Sequence, residues 1–261
     1  MLNDFNANPT FLETPVGRVA FHHLSGSPKN PTVLFLHGLG SDMNGGKIEA
    51  GWAWCAQHHV PALRLDYPGH GASGGAFVNF TLSQALDAID ALLAAKGVEK
   101  FVPVGASTGG WLTLLLAEKY PSRVVGVVSL CNGLDFTETL YWQPLSAEKQ
   151  AAWQRTGVYE EPTSDGGTWQ LGYGLIEDGR QHLMNGAERL EKLTCPLRLL
   201  HGMADDVVPW TYSTDVAHQW GGDDVVVELL KDCGHRLNEP HAVAAVVRLL
   251  ASLPVWAHEH R

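Results

Sequence analysis

The sequence contains too few cysteines, too far apart, to form a disulfide framework or a zinc cluster. Its 261 residues include four, Cys55, Cys131, Cys195 and Cys233, with no Cys-x-x-Cys pair among them. Disulfide-rich domains and zinc sites use closely spaced cysteines in recognisable patterns. We therefore expect buried free thiols in a reducing compartment, and no bound metal.

Basic residues are scarce as well. The chain has 18 lysines and arginines against 28 aspartates and glutamates, a formal net charge of −10 with histidine neutral. An acidic chain without a basic patch is poorly suited to bind nucleic-acid phosphates or anionic lipid surfaces. We therefore expect no nucleic-acid partner.

Long apolar runs are absent too. The longest, near residues 124–131 and 242–250, are far shorter than the ~18–20 apolar residues that a membrane-spanning helix needs. Residues 1–15 are polar and lack the apolar core of a signal peptide. The sequence thus predicts no stable membrane insertion and a cytoplasmic location.

Short apolar runs alternate along the chain with longer segments of helical periodicity. Strands are predicted at residues 33–36, 62–65, 101–104, 124–130, 197–200 and 225–230. Helices are predicted at 47–59, from Leu82 to before Gly97, from about Gly110 to before Pro121, and at 240–253. Thr81 and Gln84 form a capping-box pattern at the second helix, and Pro103 lies inside a strand, where proline removes one ladder hydrogen bond. This alternation predicts an α/β fold with a mostly parallel central sheet flanked by helices.

One stretch, from about residue 134 to 185, breaks this alternation. It is rich in tyrosine and tryptophan among glycine, proline and acidic residues, and no strand of the sheet is evident in it. We interpret it as a small helical cap inserted between two strands. The predicted organisation is therefore a core of residues 1–133 and 186–261 with a cap at 134–185.

Ser107 is the candidate nucleophile. It lies in Gly105-Ala106-Ser107-Thr108-Gly109, a Gly-x-Ser-x-Gly pattern between a predicted strand and a predicted helix. In that context the serine occupies a sharp, strained turn and its hydroxyl projects from the edge of the sheet. The flanking glycines leave room for the neighbouring strand and helix.

A serine hydroxyl needs a base, and the base needs a group that orients it. Two later predicted strands end just before an aspartate pair and a histidine, Asp205-Asp206 and His235. Ligand sites of open α/β sheets lie at the carboxyl ends of the strands, which is where these residues fall. We assign His235 as the base and Asp205 as its partner. Asp206 stays as the alternative acid, and the aspartate not used is expected to cap the helix that begins near Pro209.

The oxyanion of a tetrahedral intermediate needs hydrogen-bond donors. His37-Gly38-Leu39-Gly40 follows the first long strand, and we predict that the backbone N–H groups of Leu39 and Thr108 supply these donors. His37 itself is expected to be a structural residue.

These motifs resemble the α/β-hydrolase family over most of the chain. A closer similarity is to the abhydrolase group that contains palmitoyl-protein thioesterase, also known as mycophenolic acid acyl-glucuronide esterase. The segments that carry this similarity are 41–45 (SDMNG), 64–67 (RLDY), 107–112 (STGGWL) and 199–210 (LLHGMADDVVPW).

The resemblance implies a cofactor-free serine hydrolase that cleaves carboxylic esters or thioesters through an acyl-enzyme on Ser107. Its partner would be a small-molecule or acyl ester or thioester substrate. Two alternatives stay open. A hydrolase with the same triad could cleave a carbon–carbon bond in an aromatic ring-fission product, or the fold could serve a non-catalytic binding protein. Dehalogenases and epoxide hydrolases of this fold use an aspartate nucleophile, so Ser107 argues against both.

Overall fold

The computed structural model describes residues 8–162, 166–186 and 188–256. Its strands are β1 (Thr10–Thr14), β2 (Gly17–Leu24), β3 (Thr32–Leu36), β4 (Ala62–Leu65), β5 (Phe101–Ala106), β6 (Val127–Leu130), β7 (Val158–Pro162), β8 (Thr168–Gly172), β9 (Leu197–Gly202) and β10 (Val225–Leu230). Its helices are α1 (Gly46–Gln57), α2 (Leu82–Ala95), α3 (Thr108–Lys119), α4 (Ala147–Thr156), α5 (Tyr173–Gly179), α6 (Thr211–Gln219) and α7 (Pro240–Ala251).

Eight strands form one sheet in the order β1-β2-β4-β3-β5-β6-β9-β10. The strand β2 runs antiparallel to β1 and to β4, and the pairs from β4 to β10 are parallel. The predicted fold, a mostly parallel central sheet flanked by helices, is confirmed. The edge hairpin β1–β2 was not predicted, because β1 is largely exposed and has few apolar residues.

The two faces of the sheet carry separate apolar cores. Leu34 and Leu36 of β3 belong to the core beneath α2 and α3, whereas Val33 and Phe35 belong to the core beneath α1 and α7. Successive side chains of a strand point to opposite faces, so both sets are buried. A sheet covered on both faces needs continuous apolar runs, which explains why these strands are readable in the sequence.

The start and the buried face of α2 match their prediction. The hydroxyl oxygen of Thr81 accepts a hydrogen bond from the N–H of Gln84 at 3.2 Å. The predicted apolar stripe is buried throughout: Leu82, Ala85, Leu86, Ile89, Leu92 and Leu93. Each fully buried leucine or isoleucine of this kind contributes roughly 1.5–3 kcal/mol to stability.

Pro103 lies where the ladder between β5 and β6 is interrupted. Phe101 pairs with Val124 through an isolated bridge, and regular pairing resumes at Val104 and Val128. The interval from Phe101 to Val104 in β5 is three residues, whereas the paired interval from Val124 to Val128 is four. The neighbouring chain therefore contains a bulge. Because the ladder is already broken opposite Pro103, the missing N–H of the proline leaves the central strand intact.

The segment between β6 and β9 contains a π-helical turn (Thr137–Trp142), α4, a two-stranded antiparallel sheet of β7 and β8, and α5. The small sheet is separate from the main one and was not predicted. Trp153 holds it to α4, because its indole N–H donates to the carbonyl of Leu171 at 3.1 Å and its ring stacks on Tyr159. The division of the chain at residues 134 and 185 remains a prediction.

Among the residues that the structure describes, no helix is both long and apolar enough to cross a membrane. The expectation about residues 1–15 falls partly on residues 1–7, which lie outside the described residues.

Candidate active site

Ser107 occupies the turn between β5 and α3, with φ 55° and ψ −116°. This left-handed backbone is costly for any residue but glycine. Its backbone is held by neighbours, since its N–H donates to Leu130 at 2.9 Å and its carbonyl accepts from Gly133 at 3.1 Å. The strained turn that the motif predicts is therefore present, and backbone hydrogen bonds maintain it.

Asp205 follows β9, and its carboxylate is fully buried. Its Oδ2 accepts hydrogen bonds from Nδ1 of His235 at 2.7 Å and from Nε2 of His201 at 3.0 Å. Its Oδ1 accepts from the backbone N–H groups of Val207 at 2.9 Å and Val208 at 2.8 Å. Burial raises the pKa of Asp205, but the hydrogen bonds from His201 and His235 and the charge interaction with His235 outweigh it and leave the pKa well below its ordinary value. The carboxylate is therefore ionised at neutral pH.

His235 follows β10, and its side chain is 19% exposed. With Nδ1 bonded to the carboxylate of Asp205, Nε2 is left as the nitrogen that can accept a proton. The structure thus brings the predicted acid and the predicted base into direct contact.

Asp206 does not have the role expected of the second aspartate. Its side chain is exposed. The helix α6 begins at Thr211 after Trp210, and no side chain caps it. The expectation that this aspartate caps a helix near Pro209 is therefore wrong. Oδ1 of Asp205 binds the N–H groups of Val207 and Val208, which precede this helix, while its Oδ2 holds His235.

The loops that carry these residues are linked across the carboxyl edge of the sheet. The N–H of Cys131 donates to Leu200 at 2.8 Å, and the N–H of Ala204 donates to Cys233 at 2.9 Å. Ser107, Asp205 and His235 follow β5, β9 and β10, which lie on one side of the sheet's parallel part. All three candidates therefore lie at one edge, as their positions after strands predict.

The segments that carry the two predicted oxyanion donors lie beside Ser107. A Cβ on Gly38 would be 3.3 Å from the Cβ of Ser107 and 3.9 Å from its Oγ, which places the loop carrying Leu39 against the serine. Thr108 is the first residue of α3 and is buried. The N–H groups of a helix's first turn lack partners within the helix and attract negative charge.

Two buried histidines hold the loop that carries Leu39. Nδ1 of His37 donates to the carbonyl of Gly38 at 2.8 Å, and its Nε2 accepts from the backbone N–H of Tyr67 at 3.3 Å. Nε2 of His70 accepts from the N–H of Gly40 at 3.2 Å. Burial lowers the pKa of His37 to about 3 and that of His70 to about 4, so both rings are neutral at physiological pH. His37 has the structural role expected of it.

The profile of the alpha/beta hydrolase family matches residues 33–249, which extend from β3 into α7. The chain belongs to this family. The mitochondrial palmitoyl-protein thioesterases ABHD10 of Bos taurus and Homo sapiens are each 33% identical to it over 252 residues, which cover 94% of this chain and 79% of each relative. The resemblance predicted from the motifs is thereby confirmed.

Solved structures of similar proteins have the same fold. The alpha/beta hydrolase domain-containing protein 10 from mouse superposes with a TM-score of 0.84 at 29% identity, covering 94% of this chain and 97% of that one. A putative hydrolase from Agrobacterium vitis gives a TM-score of 0.85 at 30% identity, covering 93% of this chain and 97% of that one.

The glycines that flank Ser107 in this α/β hydrolase allow a stability test. A Cβ on Gly105 would collide with the backbone carbonyl of Gly109, which cannot move without displacing α3. We expect Gly105→Ala to lower the free energy of unfolding by about 1–3 kcal/mol or more, measured by urea denaturation. Gly174 of α5 has open space around its Cα, so Gly174→Ala is the matched control and should be neutral or stabilising. Equal stability of the two variants would contradict the steric argument.

The sequence patterns did not single out His70 and His201. His70 lies 30 residues from Gly40, its hydrogen-bond partner in the loop that carries Leu39. His201 precedes Gly202 at the end of β9, much as His37 precedes Gly38 after β3. This repeated His-Gly pair is the sequence feature that could have pointed to His201. Its role becomes visible only from the contacts in the folded structure.

Proposed function

We propose that this α/β hydrolase cleaves carboxylic esters or thioesters through an acyl-enzyme on Ser107, with His235 as the general base and Asp205 as its partner. The observation that carries the proposal is the 2.7 Å contact between Asp205 and His235 at the edge of the sheet where the Ser107 turn also lies. A binding protein on this fold would not need a buried, ionised carboxylate paired to a histidine.

Each step of the proposed reaction is assigned to a named group of the chain. Oγ of Ser107 attacks the carbonyl carbon while Nε2 of His235 takes the serine proton, and Asp205 stabilises the resulting imidazolium. The N–H groups of Leu39 and Thr108 hydrogen-bond the oxyanion of the tetrahedral intermediate. Its collapse expels the alcohol or thiol, which receives the proton from His235. Water then attacks the carbonyl carbon of the acyl-enzyme while Nε2 of His235 takes a proton from it. Collapse of this second intermediate releases the carboxylic acid, and His235 returns the proton to Oγ of Ser107.

The ester or thioester class is supported by the relatives. The ABHD10 proteins, whose names describe them as palmitoyl-protein thioesterases, align over 94% of this chain. That alignment includes the turn at Ser107 and the two loops that carry Asp205 and His235. We therefore propose that this chain also catalyses acyl transfer.

The cap supports an apolar acyl group. Trp169 of β8 lies directly against Gly40 of the oxyanion loop, where a Cβ would collide with the indole. Its ring also packs on Phe77, with the ring centroids 5.8 Å apart. An aromatic surface from the cap therefore reaches the loop that carries Leu39, where an acyl chain bound to Ser107 would need cover from water.

The test is hydrolysis of a series of acyl oxyesters and acyl thioesters from acetyl to palmitoyl. We expect kcat/KM for thioesters to rise with chain length, by up to about four-fold per buried methylene group. Hydrolysis restricted to short or aromatic oxyesters would contradict the long-chain thioester assignment. No hydrolysis across the series would contradict the proposed function and favour carbon–carbon cleavage or a binding role.

A further inference from the structure

The triad carboxylate contacts a second histidine, which the proposed mechanism does not use. His201 is fully buried in β9, and its Nε2 lies 3.0 Å from Oδ2 of Asp205 and 3.1 Å from the carbonyl of Val208. Its Nδ1 lies 2.7 Å from the hydroxyl of Ser213 in α6. Being buried, this ring cannot reach a substrate.

The neighbours of His201 fix the position of its proton. Both groups that face Nε2 are acceptors, a carboxylate and a carbonyl, so Nε2 carries the proton and donates it. The hydroxyl of Ser213 can then donate to Nδ1. His201 is thus held as a hydrogen-bond donor to the carboxylate.

The same oxygen serves both histidines. Oδ2 of Asp205 accepts from His201 and from His235, while Oδ1 accepts from backbone N–H groups. Each donor to Oδ2 draws on the same negative charge, so the bond from His201 weakens the carboxylate as an acceptor for His235. It also prevents rotation of the carboxylate away from the base.

We propose that His201 is a positioning residue that holds Asp205 and limits the charge it presents to His235, and so sets the pH range in which the triad works. The inference rests on the proposed function, because it assigns His235 as the base. It adds a fourth side chain that acts through the acid without touching substrate.

Other titratable groups face this cluster from neighbouring elements and stay unchanged in the test. The thiol of Cys131, after β6, lies within 4.8 Å of a ring nitrogen of His201 and a carboxylate oxygen of Asp205, and burial together with Asp205 raises its pKa, so it is uncharged. Besides Asp205, the charge that acts on this thiol is that of Lys47 in α1, and Lys47 in turn interacts with Arg236 and Glu239 in the segment before α7. None of these lies between His201 and Asp205.

The test compares two amide replacements of His201. Gln places an N–H where Nε2 stood and keeps the donor to Asp205, whereas Asn places its amide where Nδ1 stood and loses that donor. Ser213→Ala removes the hydrogen bond on the other side of the ring and leaves the Nε2 bond in place. Circular dichroism and thermal unfolding establish that each variant is folded.

The readout is the pH dependence of labelling by a fluorophosphonate probe, which requires no knowledge of the natural substrate. Oγ of Ser107 attacks phosphorus, fluoride leaves, and His235 takes the serine proton. The labelling rate should rise with pH as the base loses its proton.

We expect His201→Asn to move the midpoint of this rise upward by about 0.5 pH unit or more, a part of the ~1–2 pH units that one lost hydrogen bond to a charged group corresponds to. His201→Gln and Ser213→Ala should keep the wild-type midpoint.

A slower rate with an unmoved midpoint in His201→Asn would overturn the inference, and so would an equal shift in Ser213→Ala or in His201→Gln. Labelling that persists in Ser107→Ala would overturn the proposed function and the inference with it. Labelling that depends on Ser107, combined with an unmoved midpoint, would overturn only the inference.

Discussion

Replacing Ser107 with alanine is expected to lower kcat/KM for every ester or thioester that the enzyme cleaves by about 10⁴-fold or more, with no loss of folded protein. The turn should survive because its hydrogen bonds to Leu130 and Gly133 come from the backbone, which alanine retains. The measurements are steady-state hydrolysis, thermal unfolding and fluorophosphonate labelling.

A matched control for this variant is Ser83→Ala. Ser83 lies on α2, and its hydroxyl contacts Nε2 of His182 at 2.9 Å rather than any candidate site residue. We expect this variant to retain wild-type activity. Turnover by Ser107→Ala within ten-fold of the wild type would rule out Ser107 as the nucleophile.

Asp205→Asn is expected to lower kcat by ~10³–10⁴-fold, whereas Asp206→Asn should stay within about two-fold of the wild type. The amide that replaces the Asp205 carboxylate has one oxygen in place of two. We expect this oxygen to accept from the backbone N–H groups that now bind Oδ1. The NH₂ group of the amide would then face His235, disfavour the proton on Nδ1, and remove the charge that stabilises the imidazolium.

Asp206 is the matched control because it is the adjacent residue of the same type and its side chain is exposed. Hydrolysis by the two variants is measured with the same substrate and at the same pH. A larger loss in Asp206→Asn than in Asp205→Asn would reverse the assignment of the acid.

The strands in the parallel part of the main sheet could be predicted from their apolar runs, including β10, which is only half-buried at the edge of the sheet. The strands β4 and β10 have the predicted bounds, because their apolar runs begin and end with the strand. The strands β5 and β9 each continue two residues further, through Gly105-Ala106 and His201-Gly202, where pairing with neighbours and not hydrophobicity extends them. The strand β6 begins at Val127, later than predicted, because the bulge opposite Pro103 interrupts its start.

The hairpins β1–β2 and β7–β8 escaped prediction for a different reason. Strand β1 and the cap strands β7 and β8 are mostly exposed or half-buried, so their sequences lack the apolar runs that mark the central strands. The stability of the cap hairpin depends on tertiary contacts, such as the bond from Trp153 to Leu171, that the local sequence does not specify.

At the site, chain order and position after strands were sufficient to select Ser107, Asp205 and His235 as candidates. They were not sufficient for residues whose role comes from a contact between loops. His201 acquires its importance only when Oδ2 of Asp205 turns back towards β9, and His70 only when Gly40 lies beside it. The capping role expected of Asp206 failed because α6 begins only at Thr211, and the first-turn N–H groups of Tyr212 and Ser213 donate to the backbone carbonyls of Pro209 and Trp210.

The contact between Gly40 and Trp169 has a consequence for exchanging segments between members of the family. Gly40 has a φ of +66°, and the space that a side chain would fill there is taken by the indole of Trp169. A grafted segment without a large ring in place of Trp169 would leave Gly40 uncovered, and β8 with Trp169 would not pack on a chain that has a side chain at position 40. A graft that replaces β8 should therefore transfer residues 37–40 with it.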